Sequence, residues 1–131
     1  MLTSVLENTF YGMLSSVSSI LNYERKYKRV PAFTDNFSSK YRVFEQKIQK
    51  KYQIPKEFLD LLLELREKVN ANKQSPMSFG RKDKYVICSQ DYETTELTPE
   101  QLNKYVYKAK LFIGRINLLL NKNESRDIRS S

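Results

Sequence analysis

Apolar residues recur every three or four positions through most of this 131-residue chain, and this spacing constrains the fold more than any other feature. Side chains repeating at that interval return to one face of an α-helix, so each such segment predicts an amphipathic helix. The chain has only three Gly and four Pro residues, which is few for the many turns of an all-β domain. The sequence therefore predicts an all-α fold.

Four segments carry the periodicity, and each has a recognisable start or stop. The Val30-Pro31 pair should end the first, because the residue before a proline disfavours the α conformation. A proline is favourable in the first turn of a helix. Thr98 and Gln101 form a capping box at the start of the last segment. We place the first segment from residue 2 over about 25 residues, with Tyr27 as its furthest continuation. The others are placed at Thr34 or Asp35 to Tyr52, Pro55 to about 71, and Thr98 to about Asn121.

Short connections between the first three segments predict an antiparallel up-and-down bundle of four main helices, forming one domain over residues 1–122. The connection over residues 73–97 is long for a compact domain, and it contains the β-type apolar run Lys84–Cys88. We therefore expect a partly extended segment there. Residues 123–131 show no apolar stripe, which predicts a flexible C-terminal tail.

Two residue counts exclude whole classes of chemistry. The chain contains no His and one Cys, Cys88. An intrachain disulfide, the usual zinc sites, Ser–His–Asp triads and Cys–His dyads are therefore excluded. Cys88 lies in an apolar run, and we interpret it as a buried structural thiol rather than a nucleophile. The sequence predicts no metal, no cofactor and no catalytic residue, and it favours a protein that is not an enzyme.

Residues 1–22 do not resemble a secretory signal peptide, because they lack a basic start and polar residues interrupt the apolar ones. No run of about 18 apolar residues, the length needed to span a membrane, occurs in the sequence. A single Cys also fits a reducing compartment. We therefore expect a soluble, cytoplasmic protein with no membrane partner.

The net charge of +8 is concentrated in two parts of the chain. Residues 23–52 hold nine basic and three acidic residues, and residues 99–131 hold seven basic and three acidic residues. Tyrosines beside cations can stack on bases while the cations neutralise phosphates. The dense run predicts a nucleic-acid site at Arg25, Lys26, Lys28 and Arg29. The alternative is a solvated helix end, whose cations complement the helix dipole.

Other positions suggest packing roles. Gly12 and Gly114 fall inside predicted helices, where Gly costs about 1 kcal/mol relative to Ala; close approach of two helices would explain both. Tyr41 and Tyr52 lie on an apolar stripe and are expected in the core. Arg66 lies beside the stripe residue Leu65, so it either turns towards the interior or an interface, where it would need a partner, or is solvated.

The stretch from Leu65 to Lys73, late in the third helix of a basic four-helix chain, resembles the HEPN family (higher eukaryote and prokaryote nucleotide-binding domains). The resemblance implies an up-and-down helical bundle that often dimerises around an Arg and a His located four to six residues later. Many members are metal-independent ribonucleases, frequently toxins paired with an antitoxin, and others only bind nucleotides or RNA. Arg66 would match the motif Arg, but Asn72 stands where the His would be, and Asn cannot transfer protons as His does.

The leading functional hypothesis is therefore a non-catalytic, HEPN-like homodimer that binds RNA or nucleotides and is linked to a toxin–antitoxin-type system. The resemblance adds Arg66, Asn72 and Lys73 to the expected binding residues, because fixed donors can hold phosphate. The alternative is a protein–protein interaction or assembly module, with the surplus charge serving solubility or an acidic partner. A third hypothesis is a residual enzyme that uses Tyr, Lys or carboxylates instead of His.

Overall fold

The computed structural model describes the backbone of residues 2–74, 78–81, 84–88 and 94–130, and the side chains of residues 4–71 and 97–128. Helices dominate this part of the chain, so the predicted all-α class with four helices is confirmed. A π-helical segment, Phe44–Gln49, continues α2 directly. The helices are α1 (Leu2–Lys26), α2 (Phe37–Val43), α3 (Lys56–Gln74) and α4 (Pro99–Ser130).

Local side-chain and backbone hydrogen bonds define the helix ends. The Thr98 hydroxyl accepts a hydrogen bond from the backbone N–H of Gln101 (3.1 Å), which confirms the predicted start of α4. The cap of α2 is Asn36, whose side chain accepts from the N–H of Ser39 (2.8 Å), one position after the predicted alternatives. Because Asn is as good an N-cap as Asp, spacing alone did not distinguish them.

Helix α1 covers 25 residues, Leu2–Lys26, which is the length that its apolar stripe predicts, and it ends before the Val30-Pro31 pair. Lys28 has a φ of 58°, and its N–H donates to the carbonyl of Arg25 (2.9 Å) while the N–H of Arg29 donates to the carbonyl of Glu24 (2.9 Å). This pair of bonds is the Schellman arrangement, which terminates a helix through one left-handed residue. Lys takes the position that usually holds Gly, so the sequence contains no glycine that marks this turn.

The apolar stripes of all four helices meet in one core. Phe112 of α4 lies at its centre, with its ring centroid 5.9 Å from that of Phe44 and 5.6 Å from that of Phe58. Burial of such aromatic side chains contributes about 1.5–3 kcal/mol each. The other fully buried large side chains are Leu6, Met13, Ile20, Leu21, Ile48, Ile54, Leu59, Leu62 and Leu65.

The predicted up-and-down order is wrong, because α1 and α4 run in the same direction. A Cβ on Gly12 would lie 3.4 Å from Ile113, and Tyr23 further along α1 donates to Asp127 further along α4. The reason lies in the α1–α2 connection, residues 27–36, which is longer than predicted. Extended, these residues span roughly 33 Å, enough to return along the bundle.

Helix α2 therefore starts beside the first half of α1 and also runs parallel to it. The rings of Phe37 and Phe10 are 6.0 Å apart, and Tyr52, after the π-helical segment, reaches Glu24. Helix α3 runs the opposite way to α4, since Gln53, just before α3, contacts Arg115, whereas Glu64, further along α3, contacts Tyr105 nearer the start of α4. One end of the bundle thus carries the C-terminal ends of α1, α2 and α4 and the start of α3.

Between α3 and α4 the chain forms three short strands, as the predicted partly extended segment requires. They are β1 (Ser78–Arg81), β2 (Lys84–Cys88) and β3 (Thr94–Leu97), in an antiparallel sheet ordered β1-β2-β3. Tyr85 of β2 pairs with Gly80 and with Leu97. The side chain of Cys88, which we predicted to be buried, lies outside the described residues.

The predicted flexible tail is instead helical. Helix α4 continues from the expected end near Asn121 to Ser130. Asn123 and Asp127 are buried, and they fall in phase with the buried positions Phe112 and Ile116 of the same helix. The tail prediction failed because it searched for apolar residues, whereas here polar residues continue the buried face.

Candidate nucleic-acid interface

Three contacts gather the two basic parts of the sequence at one end of the bundle. The Arg29 guanidinium pairs with Asp127 (Nη2–Oδ1, 2.7 Å), the Asn123 amide donates to the Tyr52 hydroxyl (2.7 Å), and Arg115 donates to the carbonyl of Gln53 (3.3 Å). We define the basic end as residues 23–29, 47–56 and 115–128. Its exposed cations include Arg25, Lys26, Lys28, Lys47, Lys50, Lys51, Lys56 and Lys122.

Beneath these cations, Glu24 is a fully buried carboxylate with 0% exposure. It accepts hydrogen bonds from the Tyr52 hydroxyl, from Arg29 Nη1 (3.0 Å) and from Lys51 Nζ (3.1 Å). Desolvation raises the pKa of Glu24, but the three donors together outweigh it and hold that pKa below its ordinary value. Burial raises the pKa of Tyr52, so this hydroxyl keeps the proton that it donates.

Asp127 is the second buried carboxylate of this network. Arg29 donates to it from both Nη atoms (2.7 and 3.2 Å), and the Tyr23 hydroxyl donates as well. The Arg29 hydrogen bond, followed by that of Tyr23, lowers the pKa of Asp127 below its ordinary range. Arg29 therefore bridges α1 to the end of α4, and its position follows from the Schellman turn at Lys28.

The network satisfies its own polar groups. In the described part of the chain, no buried side-chain nitrogen or oxygen atom lacks a hydrogen-bond partner. Within it, each of the two carboxylates is paired with at least one cation and one hydroxyl, which compensates the cost of burying its charge. The role of the network is therefore structural. It holds three helices together and keeps Arg29 in place.

An aromatic ring lies among the cations at the surface. Tyr27 is 40% exposed; the Arg29 guanidinium carbon is 4.7 Å and Lys26 Nζ 5.6 Å from its ring centroid. The Arg25 guanidinium stacks on Phe33 at 5.3 Å. Cation–π contacts of this kind order long cationic side chains without removing their charge. The predicted residues Arg25, Lys26 and Lys28 thus stay exposed, while Arg29 is committed to the carboxylates.

Arg66 lies elsewhere. Its guanidinium carbon is 4.6 Å from the ring centroid of Phe37, and Phe37 contacts Phe10. Phe10 lies about 22 Å from Arg25 along α1, given 1.5 Å per helical residue. The structure therefore does not bring Arg66 together with the Arg25–Arg29 run. Arg66 is half-buried on an aromatic ring, and the side chains of Asn72 and Lys73 lie outside the described residues.

Sequence reasoning missed the acidic part of this site. Glu24 was visible only as one acid within a basic run, and Tyr52 was expected in the core. The available signal was the spacing of Asn123 and Asp127, which are buried and lie four positions apart on α4. Polar residues at the phase of a buried stripe indicate a buried polar network, provided that partners exist.

The network predicts a specific loss of stability in acid. Because the folded pKa values of Glu24 and Asp127 lie below the ordinary 4.5 and 3.8, the unfolded chain binds protons first as the pH falls. Stability should be full above about pH 5 and decline through the ordinary pKa values towards the folded ones. Urea midpoints between about pH 3 and 7 measure this. The double variant Glu24→Gln/Asp127→Asn should show a flatter profile, and an unchanged slope would contradict the assignment.

Among the described residues, no group of three or more Asp, Glu or Cys side chains is close enough to hold a metal ion. None of the helices, as far as they are described, combines the length and apolar character needed to cross a membrane. Comparison of the chain with protein-family models, with curated proteins and with solved structures finds no match.

Proposed function

We propose that this protein binds single-stranded RNA through its basic end and does not cleave it. The observation that carries the proposal is the set of contacts joining residues 23–29, 51–53 and 115–127. They turn two basic segments, separate in sequence, into one surface. Closely spaced cations release condensed counterions when they neutralise phosphates, and this release supplies most of the affinity of non-specific nucleic-acid binding.

The composition of the surface favours a single strand over a duplex. Tyr27 is exposed beside Lys26 and Arg29, so its ring can stack on an unpaired base while neighbouring cations hold the backbone. Stacking of a base on an aromatic side chain is worth about 1–3 kcal/mol and tolerates any base. The proposal therefore implies weak sequence preference and strong salt dependence.

The proposed role is binding because the basic end offers poor proton-transfer groups. The chain has no His, and the buried carboxylates Glu24 and Asp127 have lowered pKa values. A carboxylate with a lowered pKa is a weak general base, and the Arg29 that pairs with both is too weak an acid to protonate a leaving group. Binding requires only the exposed charges and the ring.

Fluorescence polarisation with a labelled single-stranded RNA tests the proposal. The double variant Lys26→Gln/Lys28→Gln should bind roughly tenfold more weakly, and its salt slope should fall by about 1.4, at about 0.7 per lost phosphate contact. The matched control is Lys104→Gln/Lys108→Gln, which removes the same charge from exposed positions on α4 away from the basic end. Absence of binding at low salt, or equal losses in both double variants, would contradict the proposal.

A further variant separates this site from the HEPN-like hypothesis. Arg66→Gln removes the motif Arg, which lies on Phe37 and outside the basic end, so we expect RNA affinity to stay within about twofold. Loss of binding in Arg66→Gln together with full binding by Lys26→Gln/Lys28→Gln would move the site to α3. The HEPN-like assignment, the homodimer and the link to a toxin–antitoxin-type system stay predictions, and the proposal does not depend on them.

A further inference from the structure

Helix α4 exposes an apolar stripe on the side opposite the core. Tyr107, Leu111 and Leu118 are 65%, 50% and 71% exposed, and Gly114 completes the pattern with steps of four, three and four residues. Residues at these steps share one helix face. Singly exposed apolar residues are common, but a contiguous stripe of them is typical of an interaction surface.

Gly114 lies within this stripe without any packing reason in the described part of the chain. A Cβ at Gly114 would meet no described atom within 4 Å, whereas one at Gly12 would lie 3.4 Å from Ile113. Only Gly12 therefore has the close helix approach that the sequence predicts for both glycines. Gly is less favourable than Ala inside a helix, so an exposed Gly on an apolar stripe indicates close approach of another molecule.

A groove between the start of α3 and α4 adjoins Gly114. Its volume is about 710 Å³, and its apolar lining comes from Pro55, Phe58, Leu111 and Leu118. A space of this size accommodates several side chains. Gly114 lines this groove and has no side chain, so an apolar side chain inserted into the groove could contact the backbone of α4 directly.

Cations dominate the polar rim of this groove. Lys110 and Arg115 line it together with one acid, Glu57. Along the same face of α4, Lys104, Lys108 and Lys122 are exposed. Charges that flank an apolar contact select partners of opposite sign and speed their association.

We propose that this groove and stripe dock an acidic amphipathic helix of a partner protein. Its apolar residues insert over Gly114 and between Phe58 and Leu118, while its carboxylates face Lys110 and Arg115. This is the helix-in-groove mode, in which anchors at helical spacing supply affinity. A second copy of α4 carries the same cations beside its stripe, so self-docking would bring like charges together. RNA would gain little from aliphatic side chains.

The probe is a fluorescein-labelled peptide of about 18 residues, with Leu at helical anchor spacing and Glu on both flanks. A second peptide replaces every Glu with Lys. Fluorescence polarisation should show the acidic peptide binding at least tenfold more tightly at low salt. In Gly114→Leu the groove is filled, and affinity for the acidic peptide should fall about tenfold without a lower thermal midpoint. Ser19→Leu, at an exposed position on α1, is the matched control and should bind normally.

Charge reversal sharpens the test. The variant Lys110→Glu, which lies outside the basic end, should bind the acidic peptide more weakly and the Lys peptide more tightly, which binding at the basic end would not produce. Absence of acidic-peptide binding, or equal binding by wild type and Gly114→Leu, would overturn the proposal. It would also be overturned if Gly114→Leu weakened RNA binding as much as it weakens peptide binding, or if sedimentation showed a wild-type dimer that Gly114→Leu dissociates, because the stripe would then serve RNA or a second copy.

Discussion

Replacing Glu24 with Ala is expected to lower the free energy of unfolding by about 2–3 kcal/mol. Removing one member of a buried ion pair costs about 3–5 kcal/mol, because the remaining charge is left buried and unpaired. Here the partners Arg29 and Lys51 are 27% and 40% exposed, so water compensates part of the loss. Urea unfolding at pH 7 measures the effect, with the midpoint shifting while the slope stays constant.

Three comparisons assign the loss to the network rather than to charge in general. Glu24→Gln keeps the shape and part of the hydrogen bonding, so it should be less destabilising than Glu24→Ala. Glu124→Ala removes the same charge from an exposed position on α4 and should change stability by less than about 0.5 kcal/mol. A double-mutant cycle of Glu24→Ala with Arg29→Ala should show coupling. If Glu24→Ala were as stable as Glu124→Ala, the network would not support the fold.

Truncation after Lys122 should destabilise the protein, although the sequence alone suggests a dispensable tail. The shortened chain loses Asn123, whose amide donates to Tyr52 (2.7 Å), and Asp127, which pairs with Arg29 and Tyr23. The buried Asn123 hydrogen bond alone is worth about 1 kcal/mol, which corresponds to roughly 3–5 °C in the unfolding midpoint for a chain of this size. Loss of Asp127 adds to this by leaving Arg29 with Glu24 alone.

The control truncation ends at Ile128 and retains both Asn123 and Asp127. It should unfold within about 2 °C of the full chain, because the last few residues of a chain generally contribute little to stability. Calorimetry or circular dichroism measures both midpoints. Equal midpoints for the chains ending at Lys122 and at Ile128 would show that residues 123–128 act as a tail after all.

The truncation bears directly on the proposed RNA site. The pairing of Arg29 with Asp127 is one of the contacts that hold the end of α1 against the end of α4. A chain without Asp127 should therefore bind RNA more weakly even where it remains folded, because the two groups of cations are no longer held together. A folded truncated chain that binds RNA with wild-type affinity would place the binding surface on residues 23–56 alone.

Sequence reasoning found the helices and most of the core for a local reason. Stripe residues such as Phe10, Ile48 and Leu65 repeat at helical spacing, and their burial follows from that periodicity. Capping residues such as Thr98 act within one helical turn, so they can be identified from the amino-acid sequence. Sequence reasoning did not locate the left-handed turn at Lys28, because Lys takes a position where Gly is usual.

The candidate site was only half predictable. Arg25, Lys26 and Lys28 were identified as a dense basic run, and they are exposed as a binding surface requires. Glu24 and Asp127 were not identified, because their burial depends on partners outside their own helices. Lys51 and Tyr52 are 27 and 28 residues from Glu24, and Tyr23 and Arg29 are 104 and 98 residues from Asp127. Arg66 was selected from a short motif, and its contact with Phe37 could not be derived from the spacing within α3.

The amino-acid sequence by itself determined the helical class, the approximate extent of four helices, the absence of His chemistry and the concentration of charge in residues 23–52 and 99–131. These properties depend on composition and on interactions between near neighbours in the chain. Only the tertiary structure decided that α1 and α4 run in parallel, that the two basic segments share one end, and that Gly114 faces outwards. Each of these depends on where a loop returns the chain, and periodicity within a helix carries no information about the direction of its neighbours.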